Sequence, residues 1–130
     1  LSLIGVTMSI PIFSSGMRIA ATKRAKINLE QSRDNLIETE QIIKLEILKA
    51  KSAYKFAIEE YNNNQKNLRL AERIEKKNQI KFFEGISSSF DLRQAQAQLY
   101  KSQQELLQSM LEVINKKADL ETALNQIPKN

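Results

Sequence analysis

The chain has 130 residues, one domain's worth, with 42% hydrophobic residues, 27% charged residues and a formal charge of +5. Tryptophan is absent, and Ala, Leu, Lys, Glu, Gln and Ile dominate, the composition of a long helix or coiled coil rather than of a thick globular core. With no cysteine and no histidine, zinc, thiol and histidine-based chemistries lack their usual ligands and bases; neither an enzyme nor a cofactor is expected.

The charge is only modestly positive, and lysines and glutamates are interspersed along the sequence, which reads as a solvated surface. Lys23-Arg24, Lys26, Arg73, Lys76-Lys77 and Lys81 are mixed with Glu30, Glu72, Glu75 and Glu84. Nucleic-acid binding needs a clustered basic face, so no nucleic-acid partner is expected. The sequence starts at Leu1 and shows no basic-then-apolar leader. It has no run of about 18 apolar residues that could form a transmembrane helix. It reads as a piece cut from something larger.

The first thirteen residues form the first predicted element. Ile4, Val6, Met8, Ile10 and Ile12 alternate with Gly5, Thr7, Ser9 and Pro11, a period of two. On pattern alone this is either a half-buried strand of a soluble sheet or a strand of a membrane barrel, which needs about 9–11 residues of such alternation. Pro11 fits a strand end or edge. Ser14 or Ser15 then caps the helix that follows.

Helix one is expected over residues 16–83, on the order of 100 Å at the helical rise. Leu29, Leu36, Ile43, Ala50, Ala57 and Ala71 sit at multiples of seven. Ile47, Tyr54, Tyr61 and Leu68 form a second row on the same face. Ile37, Ile42, Leu45, Leu48 and Ile58 widen the apolar band, so the helix is expected to touch two neighbours. Asn62-Asn63-Asn64 interrupts the band. Asn64 falls in the seam, where a polar residue fixes register at some cost in stability. A local loop at these three residues, making three helices in all, is the alternative.

The tip is expected at 83–89, within Phe82-Phe83-Glu84-Gly85-Ile86-Ser87-Ser88-Ser89-Phe90-Asp91-Leu92. Gly85 suits the left-handed conformation that ends a helix. One of Ser87, Ser88 and Ser89 caps the return helix, and Asp91 falls in its first turn, where the helix dipole favours an anion. The return helix is expected over residues 88–126, roughly 58 Å. Leu92, Leu99, Leu106, Val113 and Leu120 repeat by seven, flanked by Tyr100, Leu107 and Ile114. This return arm is the shorter one, so the far half of helix one lacks a partner. The fold class is mainly α, a long antiparallel coiled-coil hairpin preceded by one strand. Wide stripes on both arms predict that the chain alone associates rather than staying a compact monomer.

The ordered set of motifs resembles one repeat of the TolC-type outer-membrane efflux proteins, the outer-membrane factors. Its parts are Met8-Ser9-Ile10-Pro11-Ile12-Phe13-Ser14-Ser15-Gly16-Met17, the tip Phe82-Phe83-Glu84-Gly85-Ile86, then Asp91-Leu92-Arg93-Gln94-Ala95-Gln96-Ala97-Gln98-Leu99-Tyr100 with Gln104-Glu105-Leu106, and the ending Leu120-Glu121-Thr122-Ala123-Leu124-Asn125. The strand-Pro-Gly start is more like the second, C-terminal repeat. The resemblance implies a membrane-type strand at 1–13 and a periplasmic helical-barrel hairpin at 14–130. In the family, two repeats per subunit and three subunits close one α/β-barrel tube. It further implies a homotrimer in the outer membrane of a Gram-negative bacterium, in contact with outer-membrane lipid. Its partners would be a periplasmic adaptor protein and an inner-membrane transporter, as in tripartite pumps and type I secretion. The tube would export substrates passively. A helical scaffold or adaptor-type hairpin that only assembles proteins is the competing reading.

The resemblance also implies site residues. Asp91, six positions after the tip glycine, occupies the place of a lumen-facing acid of the pore; a plain first-turn acid for the helix dipole stands beside that reading. Gly85, Ile86, Ser87, Ser88 and Phe90 form the tip that would meet the adaptor. The family's best-studied member holds its closed gate with a tyrosine three residues before the glycine and an arginine two after it. Here those places hold Phe82 and Ser87, and Gln94 replaces a second lumen acid. The gate's polar network therefore does not carry over.

Overall fold

The computed structural model describes Ile4, Gly5, Met8 and residues 14–126. Two helices make up nearly all of this: α1, Ser14–Phe83, of 70 residues, and α2, Ser89–Asn125, of 37 residues. Neither contains proline, and apolar residues recur at helical spacing along both, so nothing interrupts the backbone ladder. α1 passes through Asn62, Asn63 and Asn64 without a break, which removes the three-helix alternative. Its start at Ser14 is two residues earlier than expected; the Ser14 and Ser15 side chains, proposed as caps, lie outside the described residues. So does most of the expected strand. Its described members, Ile4, Gly5 and Met8, have no regular secondary structure, and no strand occurs among the described residues.

The chain divides into two units, Leu1–Gln41 and Ile42–Asn130. In the first, every described side chain of α1 from Gly16 onward is exposed, including Leu29 and Leu36 of the heptad row. This stretch is helical without any packed face.

The second unit is an antiparallel hairpin, and its seam follows the heptads closely. On α1 the covered or half-covered rows are Ile43, Ala50, Ala57, Asn64, Ala71 and Asn78, and Ile47, Tyr54, Tyr61, Leu68 and Glu75. On α2 the large row is Leu92, Leu99, Leu106, Val113 and Leu120, as expected. Its partner row in the seam is not the apolar row that flanks it in the sequence. Ala95, Ser102, Ser109, Lys116 and Ala123 fill it, while Tyr100, Leu107 and Ile114 point to solvent. The residues most deeply covered are the small ones, Ala57 and Ser102 at 2% exposure and Ala71 and Ser109 at 4%. Each helix thus sets a row dominated by small, deeply covered side chains beside a row of mostly large, half-covered ones. Hydrophobic content alone points to Tyr100, Leu107 and Ile114; size complementarity selects the small row.

Two polar contacts sit in this seam. Asn64 Nδ2 donates to the Glu105 carbonyl 3.3 Å away, across the hairpin, consistent with the register role expected of it. Ser109 Oγ donates to Leu106 O at 2.8 Å, so its hydroxyl is satisfied by its own helix.

Candidate functional site at the hairpin tip

The tip is built from two helix ends that satisfy their free backbone groups locally. At the end of α1, Gly85 has φ +74°, a left-handed value at no steric cost to glycine. The Ile86 amide donates to Lys81 O at 2.9 Å and the Gly85 amide to Phe82 O at 3.1 Å. These are the two bonds of a Schellman stop, and the Ser87 amide adds a third, to Lys81 O at 3.2 Å. An ideal Cβ on Gly85 would meet nothing within 4 Å, so only the backbone conformation calls for glycine.

At the start of α2, Ser88 is the N-cap in extended conformation. The Asp91 amide donates to Ser88 Oγ at 3.2 Å, and the Ser88 amide donates back to Asp91 Oδ2 at 3.2 Å, a reciprocal capping box. Ser88 Oγ lies 2.7 Å from the same Oδ2 and Ser87 Oγ 3.4 Å from it. These bonds to the ionised form hold the Asp91 carboxyl below its ordinary value; the Ser88 hydroxyl contributes most, then the Ser88 amide, with smaller help from Ser87 and the charge of Lys81. Asp91 is solvent-exposed, so its charge is screened on the open side.

The turn also carries an apolar surface. Phe83, Ile86 and Phe90 are each more than 70% exposed. Phe82 packs edge-to-face on Phe83, ring centroids 5.9 Å apart at 67°, which braces the exposed ring. Gln94 lies one turn into α2 and lines a groove of about 340 Å³ with Ile74, Asn78, Asp91, Ala95 and Gln98.

The structure therefore gathers Gly85, Ile86, Ser87, Ser88, Phe90 and Asp91 in one turn, with Phe82 at the last turn of α1 and Gln94 beside Asp91. Sequence reading missed the reciprocity of Ser88 and Asp91, although a serine followed three residues later by an acid is its signal. It also did not name Phe83 among the tip residues that would meet the adaptor. Among the described residues no cluster of His, Cys, Asp or Glu could hold a metal, and no helix is long and apolar enough to cross a membrane.

No curated protein and no solved structure is significantly similar to the chain. The family described as outer membrane efflux protein matches residues 2–126. Its members are channel and transport proteins rather than enzymes, outer-membrane associated with a periplasmic helical part, and they work as trimers with adaptor and inner-membrane pump components. With nearly the whole chain matched, it belongs to the outer membrane efflux protein family.

Proposed function

We propose that this chain is the second repeat of a trimeric outer-membrane export duct, with residues 1–13 as a barrel strand and 14–130 as a hairpin of the periplasmic helical barrel. The observation that carries the reading is the second face of α2. Tyr100, Leu107, Leu111 and Ile114 are each 60–66% exposed and follow one another at helical intervals of seven, four and three, on a face turned roughly 130–180° from the covered seam. A helix with apolar rows on two opposite sides is built for a neighbour on each side, as a closed ring of helices requires. An isolated two-helix scaffold needs only one such face, which favours the duct over the scaffold or adaptor hairpin.

In this reading the tip meets the periplasmic adaptor through Ile86, Phe90 and the serines Ser87 and Ser88, with Gly85 setting the turn. Asp91 contributes one carboxylate to a ring from three subunits that narrows the pore and favours cations. Phe82, Ser87 and Gln94 replace the polar groups of the known gate, so the closed state rests on other contacts. The duct serves an inner-membrane transporter and performs no chemistry itself. The test is the native mass of the full protein in detergent together with its conductance in planar bilayers. A trimer that conducts supports the reading. A non-conducting monomer refutes it and favours the scaffold.

A further inference from the structure

Charge is not spread evenly along this chain. It carries 20 basic and 15 acidic residues, for a net +5. Four of the basic residues, Arg18, Lys23, Arg24 and Lys26, fall in the first 29 positions, where there is no acid at all. Beyond them the sequence is close to balanced, and Glu30 is the first carboxylate. All four cations lie on α1 with exposed side chains. The ion pairs found among the described residues are all on α2 and involve none of the four. The first turn of α1 holds no acid either, so the partial positive charge of the helix N-terminus adds to theirs. Exposed Met17 and Ile19 stand among them, with exposed Ile4 and Met8 in the apolar stretch just before.

We propose that this cation cluster binds the phosphate headgroups of anionic glycerophospholipids on the periplasmic face of the outer membrane. The inference rests on the reading of residues 1–13 as a membrane segment. α1 starts at Ser14. At the helical rise, Arg18 lies about 6 Å along the axis and Lys26 about 18 Å. The polar layer of a bilayer is roughly 5–8 Å thick on each side. Arg18 therefore falls within the headgroups. Lys23, Arg24 and Lys26 lie within about one Debye length, ~8 Å, plus the reach of a side chain whose stem folds back towards the surface.

The angular spread also favours a lipid surface. Arg18, Lys26 and Lys23 fall in an arc of about 140° around the helix, and Arg24 lies outside it. A partner helix or a nucleic-acid groove would call for cations on one narrow face. A charged plane surrounding the helix end accepts them on nearly any side. Glu30 and Asp34, which reverse the balance, come only where that plane has been left behind.

The experiment is vesicle flotation of the chain with mixed phosphatidylethanolamine–phosphatidylglycerol vesicles, against phosphatidylcholine vesicles, at low and high salt. Each cation near an anionic surface raises partitioning about fivefold. The fourfold variant Arg18→Gln, Lys23→Gln, Arg24→Gln, Lys26→Gln should lose the preference for anionic vesicles by on the order of a hundredfold or more. A second variant with the same charge change, Lys44→Gln, Lys49→Gln, Lys51→Gln, Lys55→Gln, should keep it, and circular dichroism should show both helical. Equal loss in the two variants overturns the proposal, as does full retention in the first. Equal binding to both vesicle types also overturns it while leaving the membrane reading of 1–13 intact. No flotation with either type overturns it too, and the duct reading is then judged separately by conductance. Tighter binding of a single-stranded oligonucleotide than of anionic vesicles by the same four side chains would reassign the cluster to nucleic acid.

Discussion

Gly85 offers a clean separation of backbone from packing. Its φ of +74° is left-handed, and a Cβ placed there would touch nothing within 4 Å. The cost of a side chain is therefore conformational alone. Holding an L-residue in the left-handed region costs about 1–2 kcal/mol. Restricting the unfolded chain returns about 0.4–1 kcal/mol when glycine becomes alanine. Gly85→Ala should thus destabilise the hairpin by up to about 1.6 kcal/mol. Gly85→Leu should match Gly85→Ala, since the space is open. Gly85→Asn should cost less, because asparagine tolerates this region, and Gly85→Val should cost most, because a branched Cβ does not. Urea unfolding followed by circular dichroism at fixed protein concentration would read these differences as midpoint shifts of roughly 0.3–1 M per kcal/mol. A valine variant as stable as the asparagine variant would refute the Schellman stop, and a leucine variant far worse than alanine would refute the open space. If the tip also docks the adaptor, the valine variant should weaken adaptor binding in the full protein more than asparagine does.

Three further outcomes follow from the seam and the faces. Ser102→Leu or Ala71→Leu overfills the row of small residues and should cost about 1–3 kcal/mol in the same unfolding assay. Asn64→Ala should cost about 0.5–1.5 kcal/mol for its bond to Glu105 O, whereas Asn64→Leu should be near neutral in stability yet relax the register, seen as cross-linking between engineered cysteine pairs one heptad out of phase. Leu107→Glu on the outward face of α2 should leave chain stability within about 0.5 kcal/mol but reduce self-association in sedimentation.

Much of this architecture is legible in the heptads. Leu92, Leu99, Leu106, Val113 and Leu120 identify one row of α2, and the glycine and serines between two uninterrupted helices identify the turn. What escaped is the part that depends on size rather than polarity. Ser102 and Ser109 look like surface residues by composition, yet with Ala57 and Ala71 they are the most deeply covered residues of the hairpin. Tyr100, Leu107 and Ile114 look like core for the converse reason, yet each is 60–66% exposed. The segregation of cations before Glu30 was present in the sequence but diluted by the mixed lysines and glutamates that follow. At the tip, Asp91 was legible as an acid in a first turn. Its pairing with Ser88 depends on the backbone conformation at the cap and is settled only by geometry.

That pairing bears on how the two roles of Asp91 are to be separated. A capping acid and a pore acid are not exclusive, because the hydrogen bonds from Ser87 and Ser88 converge on Oδ2 while the carboxylate as a whole stays exposed. The cap also favours ionisation. Asp91 has a lowered pKa in the folded state, so its contribution to stability is complete above the ordinary value of 3.8 and is lost as pH falls through the lower folded value. Asp91→Asn should abolish that acid-side step in a pH-dependent unfolding series. It keeps an oxygen able to accept from the Ser88 amide but removes the charge. Ser88→Ala does the reverse: it keeps the charge and removes the N-cap, at a cost of about 1 kcal/mol. In the full protein, a pore role for Asp91 requires that Asp91→Asn reduce cation preference in bilayer conductance with the trimer intact. Ser88→Ala should lower stability and leave cation preference nearly unchanged. If both variants shift stability and neither shifts selectivity, Asp91 is a capping residue and the pore lining lies elsewhere on the hairpin.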